Sequence, residues 1–456
     1  MKILIFLETD VTIRHFIFSN CFKLLNKKHE VVYIFPDNHR RLGDLNLSKL
    51  DLGKSKRLKL LPNLKRLSFW KLRFYVEKLR VKKNIPKEVT YQWRKDFQIL
   101  NPLKAYLLYR FFGLPIIFKI FTSLVNYLIN RYPFNELERI INSENPDLII
   151  HPTVLDGLYI NDLVEIGSKK KIPTLMIMNS WDNPISKRAV VSNDYWLLVW
   201  GSQTKNHALK YIGMPENKVI EFGSAQFEIY KNKPEESREE FLKKYRILKD
   251  EIVILYAGSS KSTNEFQHML NLENAINNKV IPKLKIIYRP HPWGECGFQG
   301  ERFQNYKFKN IKYDINMIDY INRDFKKNSG KLITNYRDTS DLLFAVDAVI
   351  SPLSTIIIET MLLGKPPLCF LPVDEDAQHF QMVHESPHFV EFLNDECVLV
   401  ARGNKEFIPS ITKLIKRIQD KSFSQRIEKA SEFYISKFDK PFDERLLSLV
   451  PKILMK

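Results

Sequence analysis

The sequence predicts an α/β chain of two Rossmann-like, doubly wound domains facing across a cleft, with a basic helical insert in the first. Three observations predict it. The 456 residues exceed what one core ordinarily holds. Short apolar runs alternate with helical periodicity through both halves. In the second half each conspicuous polar cluster directly follows an apolar run, and in doubly wound sheets ligands lie beyond the carboxyl ends of the strands.

Lys2–Phe6 reads as the first strand. Residues 14–28 read as a helix with Phe16, Cys21, Phe22, Leu24 and Leu25 on its apolar side, and Glu30–Phe35 as the second strand. A β-α-β opening implies parallel pairing through a right-handed crossover. Residues 40–132 form the insert, mostly helical, followed by a helix over Phe134–Asn142. Asp147–His151 carries an apolar run that suits a central parallel strand. Thr174–Asn179, Trp196–Val199 and Val219–Phe222 follow as strands, with a helix over 203–212, and the first domain ends near residue 230. The second domain, 231–430, opens on the charged linker Lys231–Asp250. Its expected strands are Ile252–Ala257, Leu284–Tyr288, Ala348–Ile350 and Pro367–Leu371, with a helix over Thr355–Leu363. Residues 431–456 are expected to pack back on the first domain as a C-terminal helix.

Composition narrows the class. With 44% hydrophobic and 27% charged residues the chain folds rather than remaining disordered. The cysteines Cys21, Cys296, Cys369 and Cys397 form no C-x-x-C pair, which suits a reducing compartment and free thiols, with Cys21 and Cys369 buried. The opening Ile3–Leu7 run is short and ends in acids, so it reads as a strand and not a secretory signal.

The net charge of +19 is concentrated: residues 51–100 hold 15 Lys/Arg against 4 Asp/Glu. Residues 101–132 add Lys104, Arg110, Lys119 and Arg131 without an acid, and aromatic residues are dense from Phe69 to Phe121. Basic and aromatic residues together predict docking on an anionic membrane surface. No helix-turn-helix, RRM or KH pattern accompanies the charge, which argues against nucleic acid. Phe111–Ile129 has the length to span a bilayer, but Pro115 and Lys119 oppose insertion. The expected location is therefore cytoplasmic and peripheral, on the inner face of the membrane.

Three clusters carry chemistry. In Asp347–Pro366 an apolar strand stops at Ser351 and a helix begins at Ser354 or Thr355, both good N-caps. A helix N-terminus favours phosphate, and Glu359, one turn on, suits a ribose or sugar hydroxyl. The second cluster is Arg289-Pro290-His291-Pro292, with a guanidinium fork for phosphate and a histidine that donates to it. The third is Gly258-Ser259-Ser260, where small residues let backbone amides approach a ligand. Asp374-Glu375-Asp376 has the look of a metal motif, but Asp376 and Gln378 read better as contacts to sugar hydroxyls, and no metal is expected. Candidate bases sit at strand ends of the first domain: Glu8, Asp10 and His15, then His151 and Asp156, then Asp182. Asp156 and Asp10 are preferred.

Together the clusters resemble the donor half of GT-B glycosyltransferases. They are closest to bacterial surface-carbohydrate enzymes, the group containing CDP-glycerol glycerophosphotransferases and the Kdo and sialic acid transferases of capsule synthesis. Ser180-Trp181-Asp182-Asn183-Pro184 with Lys187, and Trp200-Gly201-Ser202-Gln203 followed by Gly213 and Gly223–Phe227, extend the likeness over roughly 147–380. Relatives often carry Asp where Glu228 stands here. The resemblance implies that His291 and Ser354-Thr355 hold nucleotide phosphates, that Asp182 lies on the acceptor side, and that the reaction needs neither metal nor cofactor. It implies a nucleotide-sugar co-substrate, CMP-, CDP- or UDP-linked, and a glycan or lipid-linked acceptor.

Sugar transfer in surface-polysaccharide synthesis is the leading expectation. CDP-glycerol-type polyol-phosphate transfer, in which His291 acts directly, is the alternative. A nucleotide-sugar epimerase of the same fold needs no membrane acceptor, and a non-catalytic anionic-lipid or nucleic-acid binder leaves the strand-end clusters unexplained.

Overall fold

The computed structural model describes residues 1–37, 47–80, 102–153, 155–186, 190–259, 263–292, 300–322, 334–375, 380 and 386–455. It forms two units, Met1–Gln226 with Ile435–Lys456, and Phe227–Tyr434.

Unit 1 is built on seven strands: β1 (Lys2–Phe6), β2 (Glu30–Pro36), β3 (Lys56–Leu60), β4 (Leu148–Thr153), β5 (Thr174–Met178), β6 (Trp196–Val199) and β7 (Val219–Glu221). Their order is β3-β2-β1-β4-β5-β6-β7, parallel throughout. The direction of winding reverses between β1 and β4, the place where doubly wound sheets open a crevice. Side chains alternate between two cores, as the two-residue period of a strand dictates. Ile3, Ile5, Leu148 and Ile150 pack with Phe16 and Leu25, whereas Leu4, Phe6, Ile34 and Ile149 pack with Leu137, Ile141 and Leu163. The first core is completed by the helix Phe442–Leu454, whose Phe442, Leu446, Val450 and Ile453 recur at helical spacing.

Three expectations for this unit change. The helix over 14–28 is two helices, Asp10–Phe16 and Lys23–Lys28, because Asn20 takes a left-handed φ of 57° that breaks the run. The insert is not helical from its start. Lys56–Leu60 is the edge strand β3, whose lysines suit an edge and hide its period. Helices Leu64–Arg80, Pro102–Phe112 and Pro115–Arg131 follow it. Finally, the helix over 203–212 is α-helical only over Ser202–His207 and widens to a π-turn over Ala208–Ile212.

The insert is anchored by one buried cation. Arg66 donates through Nε to Asp162 Oδ1 (2.5 Å), through Nη1 to the Ile129 carbonyl (2.6 Å) and through Nη2 to Glu165 Oε2 (2.8 Å). Trp70 Nε1 adds a bond to the same Asp162 oxygen at 2.8 Å. This ties Leu64–Arg80 to the helix Ile160–Lys170.

Unit 2 repeats the plan with β8 (Val253–Ala257), β9 (Lys285–Arg289), β10 (Ile311–Tyr313), β11 (Ala348–Ser351), β12 (Pro367–Leu371) and β13 (Leu399–Arg402). The order β10-β9-β8-β11-β12-β13 is parallel, and its switch point lies between β8 and β11. Ile254, Tyr256, Tyr288, Ile350 and Phe370 face one core; Val253, Leu255, Ile287 and Val349 face the other. Cys21, Cys369 and Cys397 are buried free thiols.

Candidate functional site

In unit 2 the three motifs leave neighbouring strands at one edge. Gly258-Ser259 follows β8, His291 follows β9, and Ser354-Thr355 follows β11, with β8 paired to both others. The switch point therefore separates Gly258 from Ser351.

Two carboxylates organise this edge: Glu265, which is buried and did not stand out in the sequence, and Glu375, which is partly buried and stood out only within the Asp374-Glu375-Asp376 run. Glu265 accepts from the Ser259 amide (2.7 Å), the Tyr288 hydroxyl (2.5 Å) and the Thr263 hydroxyl (3.3 Å). Burial raises its pKa, and these donors oppose the rise. Glu375 accepts from His268 Nε2 (2.5 Å) and the Asn264 amide (2.8 Å), while His268 Nδ1 meets the Tyr256 hydroxyl at 2.7 Å. Burial alone would raise Glu375, but the bond and charge of His268 outweigh it and leave the carboxyl below its usual value. The loop after β8 is thus gripped at both ends. A signal was present: Asn264 is an N-cap whose side chain accepts from Gln267 N, and Glu265 opens the helix Glu265–Asn277.

This arrangement corrects the role expected of the glycine loop. The Gly258 amide donates to the Arg289 carbonyl at 2.8 Å and the Ser259 amide to Glu265, so both are committed within the protein. A Cβ on Gly258 would lie 2.6 Å from Glu265 Oε2, so the glycine admits the carboxylate. Ser260 lies outside the described residues, as do Asp376, Gln378 and Lys187.

Arg289 also differs from expectation. It is buried, donates through Nη2 to Thr339 Oγ1 (2.9 Å) and lies 3.5 Å from Asp314 Oδ2, so its fork braces the sheet edge. Ser351 is fully buried, and its hydroxyl has no hydrogen-bond partner among the described residues. Ser354 and Thr355 are half-buried ahead of the helix Ile356–Leu362, and the Thr355 hydroxyl makes no capping bond. Glu359 accepts from the Tyr230 hydroxyl, and burial together with the Glu359 charge raises the Tyr230 pKa. Asp374 accepts from the Asn404 amide at 2.8 Å and caps the helix Asn404–Gln419. No group of three metal-type side chains gathers among the described residues.

Unit 1 carries a parallel device at its own switch point. Glu8, buried just past β1, accepts from His151 Nε2 (2.6 Å) and from the amides of Leu158 (2.5 Å) and Tyr159 (3.2 Å). A Cβ on Gly157 would meet Glu8 Oε2 at 2.7 Å, the same glycine–carboxylate fit as in unit 2. Glu8 and His151 are therefore occupied with each other and with the backbone. Asp10 opens the helix Asp10–Phe16 and accepts from the Val11 amide at 2.7 Å. Asp156 follows β4, with its carbonyl accepting from Thr153 Oγ1 at 3.3 Å. Asp182 accepts from Ser180 Oγ (2.7 Å) and Asn183 Nδ2 (3.3 Å), locking the turn after β5. His15 Nδ1 lies 3.1 Å from the Asn179 carbonyl, so that nitrogen carries the proton. Burial, reinforced by the Arg14 charge, pulls its pKa down to about 3, and the ring is neutral at pH 7.

Comparison with known proteins fits this geometry. The family profile of CDP-glycerol:poly(glycerophosphate) glycerophosphotransferases matches residues 174–450. No curated protein matches the chain in sequence. Among solved structures, the UDP-GlcNAc 2-epimerase from Neisseria meningitidis, bound to UDP-GlcNAc, is 15% identical with a TM-score of 0.53, over 99% of this chain and 100% of that one. A glycosyltransferase from Rickettsia africae ESF-5 is 13% identical with a TM-score of 0.50, over 99% and 98%. The wall teichoic acid polymerase TagF is 11% identical with a TM-score of 0.50, over 99% and 89%. These likenesses carry the two-Rossmann GT-B fold. The matched segment spans well over half the chain and holds all three strand-end motifs of unit 2, so the chain belongs to the CDP-glycerol:poly(glycerophosphate) glycerophosphotransferase family.

Proposed function

We propose that this transferase moves a polyol phosphate from CDP-glycerol or a similar CDP-linked donor to a glycan or lipid-linked acceptor of a cell-surface polymer, on the inner face of the membrane. The observation that carries the reading is the family match over 174–450, which contains the β8, β9 and β11 edge of unit 2. Ser354 and Thr355 hold the donor's phosphates, with His291 donating to the same group. Glu359 takes a ribose or polyol hydroxyl, and Asp376 and Gln378 contact the transferred group. The acceptor hydroxyl attacks the phosphorus next to the polyol, its proton passes to a base, and CMP leaves. Asp156 and Asp10 stand for that base and Asp182 for an acceptor contact, since each lies at a strand end of unit 1. The reaction is proposed to need no metal and no cofactor beyond the nucleotide-linked donor.

Sugar transfer from a nucleotide sugar, placed first by the sequence, remains the second reading, because a carboxylate at Glu359 suits a sugar hydroxyl equally well. Melting of the full chain with CMP, CDP, UDP and GDP identifies the nucleotide, and product mass separates the two readings. Stabilisation by CDP, lost in Ser354→Ala/Thr355→Ala, is the expected result, and product mass identifies the transferred group. Stabilisation by UDP or GDP but not by CMP or CDP overturns the cytidine reading. An unchanged CDP response in the double variant overturns the phosphate assignment.

A further inference from the structure

Glu359 sits in the first turn of the helix Ile356–Leu362, and its amide donates to the Thr355 carbonyl at 3.1 Å. It is buried. A carboxylate in this place meets two opposing demands. It must offer an oxygen to a sugar hydroxyl, and it must keep its charge off the phosphates proposed at Ser354 and Thr355, one turn before it. A glutamate side chain turns about three bonds, so without a partner it would spend time in both orientations.

One neighbour removes that freedom. The Tyr230 hydroxyl donates to Glu359 Oε2. Tyr230 belongs to the turn Ala225–Lys231, early in unit 2, which begins at Phe227. Its ring is fixed apart from that bond. It is partly buried against the core that holds Phe241, Leu255 and Val349, and its centroid lies 6.1 Å from that of Phe227. An anchored ring gives its hydroxyl a defined position, so the carboxylate it grips has one too.

The chemistry of the partner matters as much as its place. Burial, followed by the Glu359 charge, raises the Tyr230 phenol well above its ordinary value, so it keeps its proton and stays a donor. An arginine or lysine there would orient the carboxylate and cancel its charge. A neutral phenol orients it and leaves the charge, which makes a neighbouring hydroxyl bond roughly twice as strong as one to a neutral acceptor. A carboxylate accepts about four hydrogen bonds, so the tyrosine and a sugar hydroxyl can share it.

We propose that Tyr230 is a positioning residue of the donor site: its hydroxyl aims the Glu359 carboxylate at the ribose hydroxyls of a cytidine-linked donor and away from the phosphates, and so sets the preference for a ribonucleotide over its deoxy form. This rests on the assignment of Glu359 to a ribose hydroxyl made above and adds what aims the carboxylate.

The test is titration calorimetry of the full chain with CDP and with 2′,3′-dideoxy-CDP. Wild type binds CDP at least about tenfold more tightly than the dideoxy form, as the loss of a hydrogen bond to a charged group predicts. Tyr230→Phe keeps the ring and removes the hydroxyl. It lowers that ratio to about threefold or less by weakening CDP and sparing the dideoxy form. A merely structural tyrosine would weaken both nucleotides alike and leave the ratio standing. Glu359→Gln lowers the ratio as far, and adding Tyr230→Phe to it changes the ratio no more, because the tyrosine acts through the carboxylate. The double variant leaves no carboxylate buried without its donor, so it is read even where Tyr230→Phe alone folds poorly. A wild-type ratio in Tyr230→Phe overturns the positioning role and leaves the Glu359 assignment standing. A further fall on adding Tyr230→Phe to Glu359→Gln overturns it as well. A wild-type ratio in Glu359→Gln, or equal binding of both nucleotides by wild type, removes the ribose assignment and the positioning role with it.

Discussion

Removing the Glu265 carboxylate tests whether that side chain holds the loop after β8. In Glu265→Ala the Ser259 amide and the Tyr288 hydroxyl lose their acceptor, and both belong to buried residues. A buried donor left unsatisfied costs roughly 1–3 kcal/mol, so two cost about 2–6 kcal/mol, less what the lost burial of a carboxyl returns. A net loss of about 3 kcal/mol lowers the melting temperature of a unit of this size by roughly 6–12 °C. Glu265→Gln keeps an acceptor for Ser259 and a group for Tyr288, and costs about 1 kcal/mol. The variants also differ in pH behaviour. Burial raises the Glu265 pKa, so the folded state binds its proton more tightly than the unfolded chain, and stability falls as pH climbs from 4.5 through the raised value. Glutamine removes that slope. The assay is calorimetric melting of the full chain from pH 4 to 8, with CDP titrated into each variant. Glu265→Ala melting within about 1 °C of wild type would show that the carboxylate does not hold the loop.

Other predictions follow from the same structure. Arg66→Met strips the buried Asp162 of its cation, leaving it the Trp70 bond, while Glu165 keeps Lys169; it should cost about 3–5 kcal/mol in unit 1, and limited proteolysis should then cut first within the insert. The folded pKa of His15, about 3, lies below its free value of 6.5, so its contribution to stability is present above pH 6.5 and lost as pH falls toward 3. His15→Asn should flatten that part of the stability–pH curve in acid titrations. Lys365 donates to the carbonyls of Leu343, Phe344 and Val346 at 2.5–2.7 Å, so Lys365→Met should destabilise unit 2 by about 2–4 kcal/mol, read by urea unfolding. Asp156→Asn should lower kcat at least about a hundredfold with CDP binding unchanged if Asp156 is the base; an unaltered kcat removes it from that role.

The strand-end motifs were legible because each depends on a few adjacent residues. Ser354-Thr355 follows the AVIS strand, and His291 follows KIIYR, in any fold that keeps those strands buried. What each side chain does there was not legible. Arg289 reads as an anion fork until Asp314 and Thr339, 25 and 50 residues away, are brought against it. Gly258 reads as room for a phosphate until the Glu265 carboxylate fills that room.

By itself the sequence determined the architecture. Buried parallel strands need unbroken apolar runs, and helices need apolar residues every three or four positions, so the inner strands of both sheets were written locally. β3, β10 and β13 escaped because each is an edge strand that buries too little of itself to show a period. Tertiary structure alone decided the partners of these buried or partly buried groups: Glu8 with His151, Glu265 with Tyr288, Glu375 with His268, Arg66 with Asp162. A carboxylate or guanidinium leaves water only where donors or acceptors from distant segments converge on it, and that convergence exists only once the chain has folded.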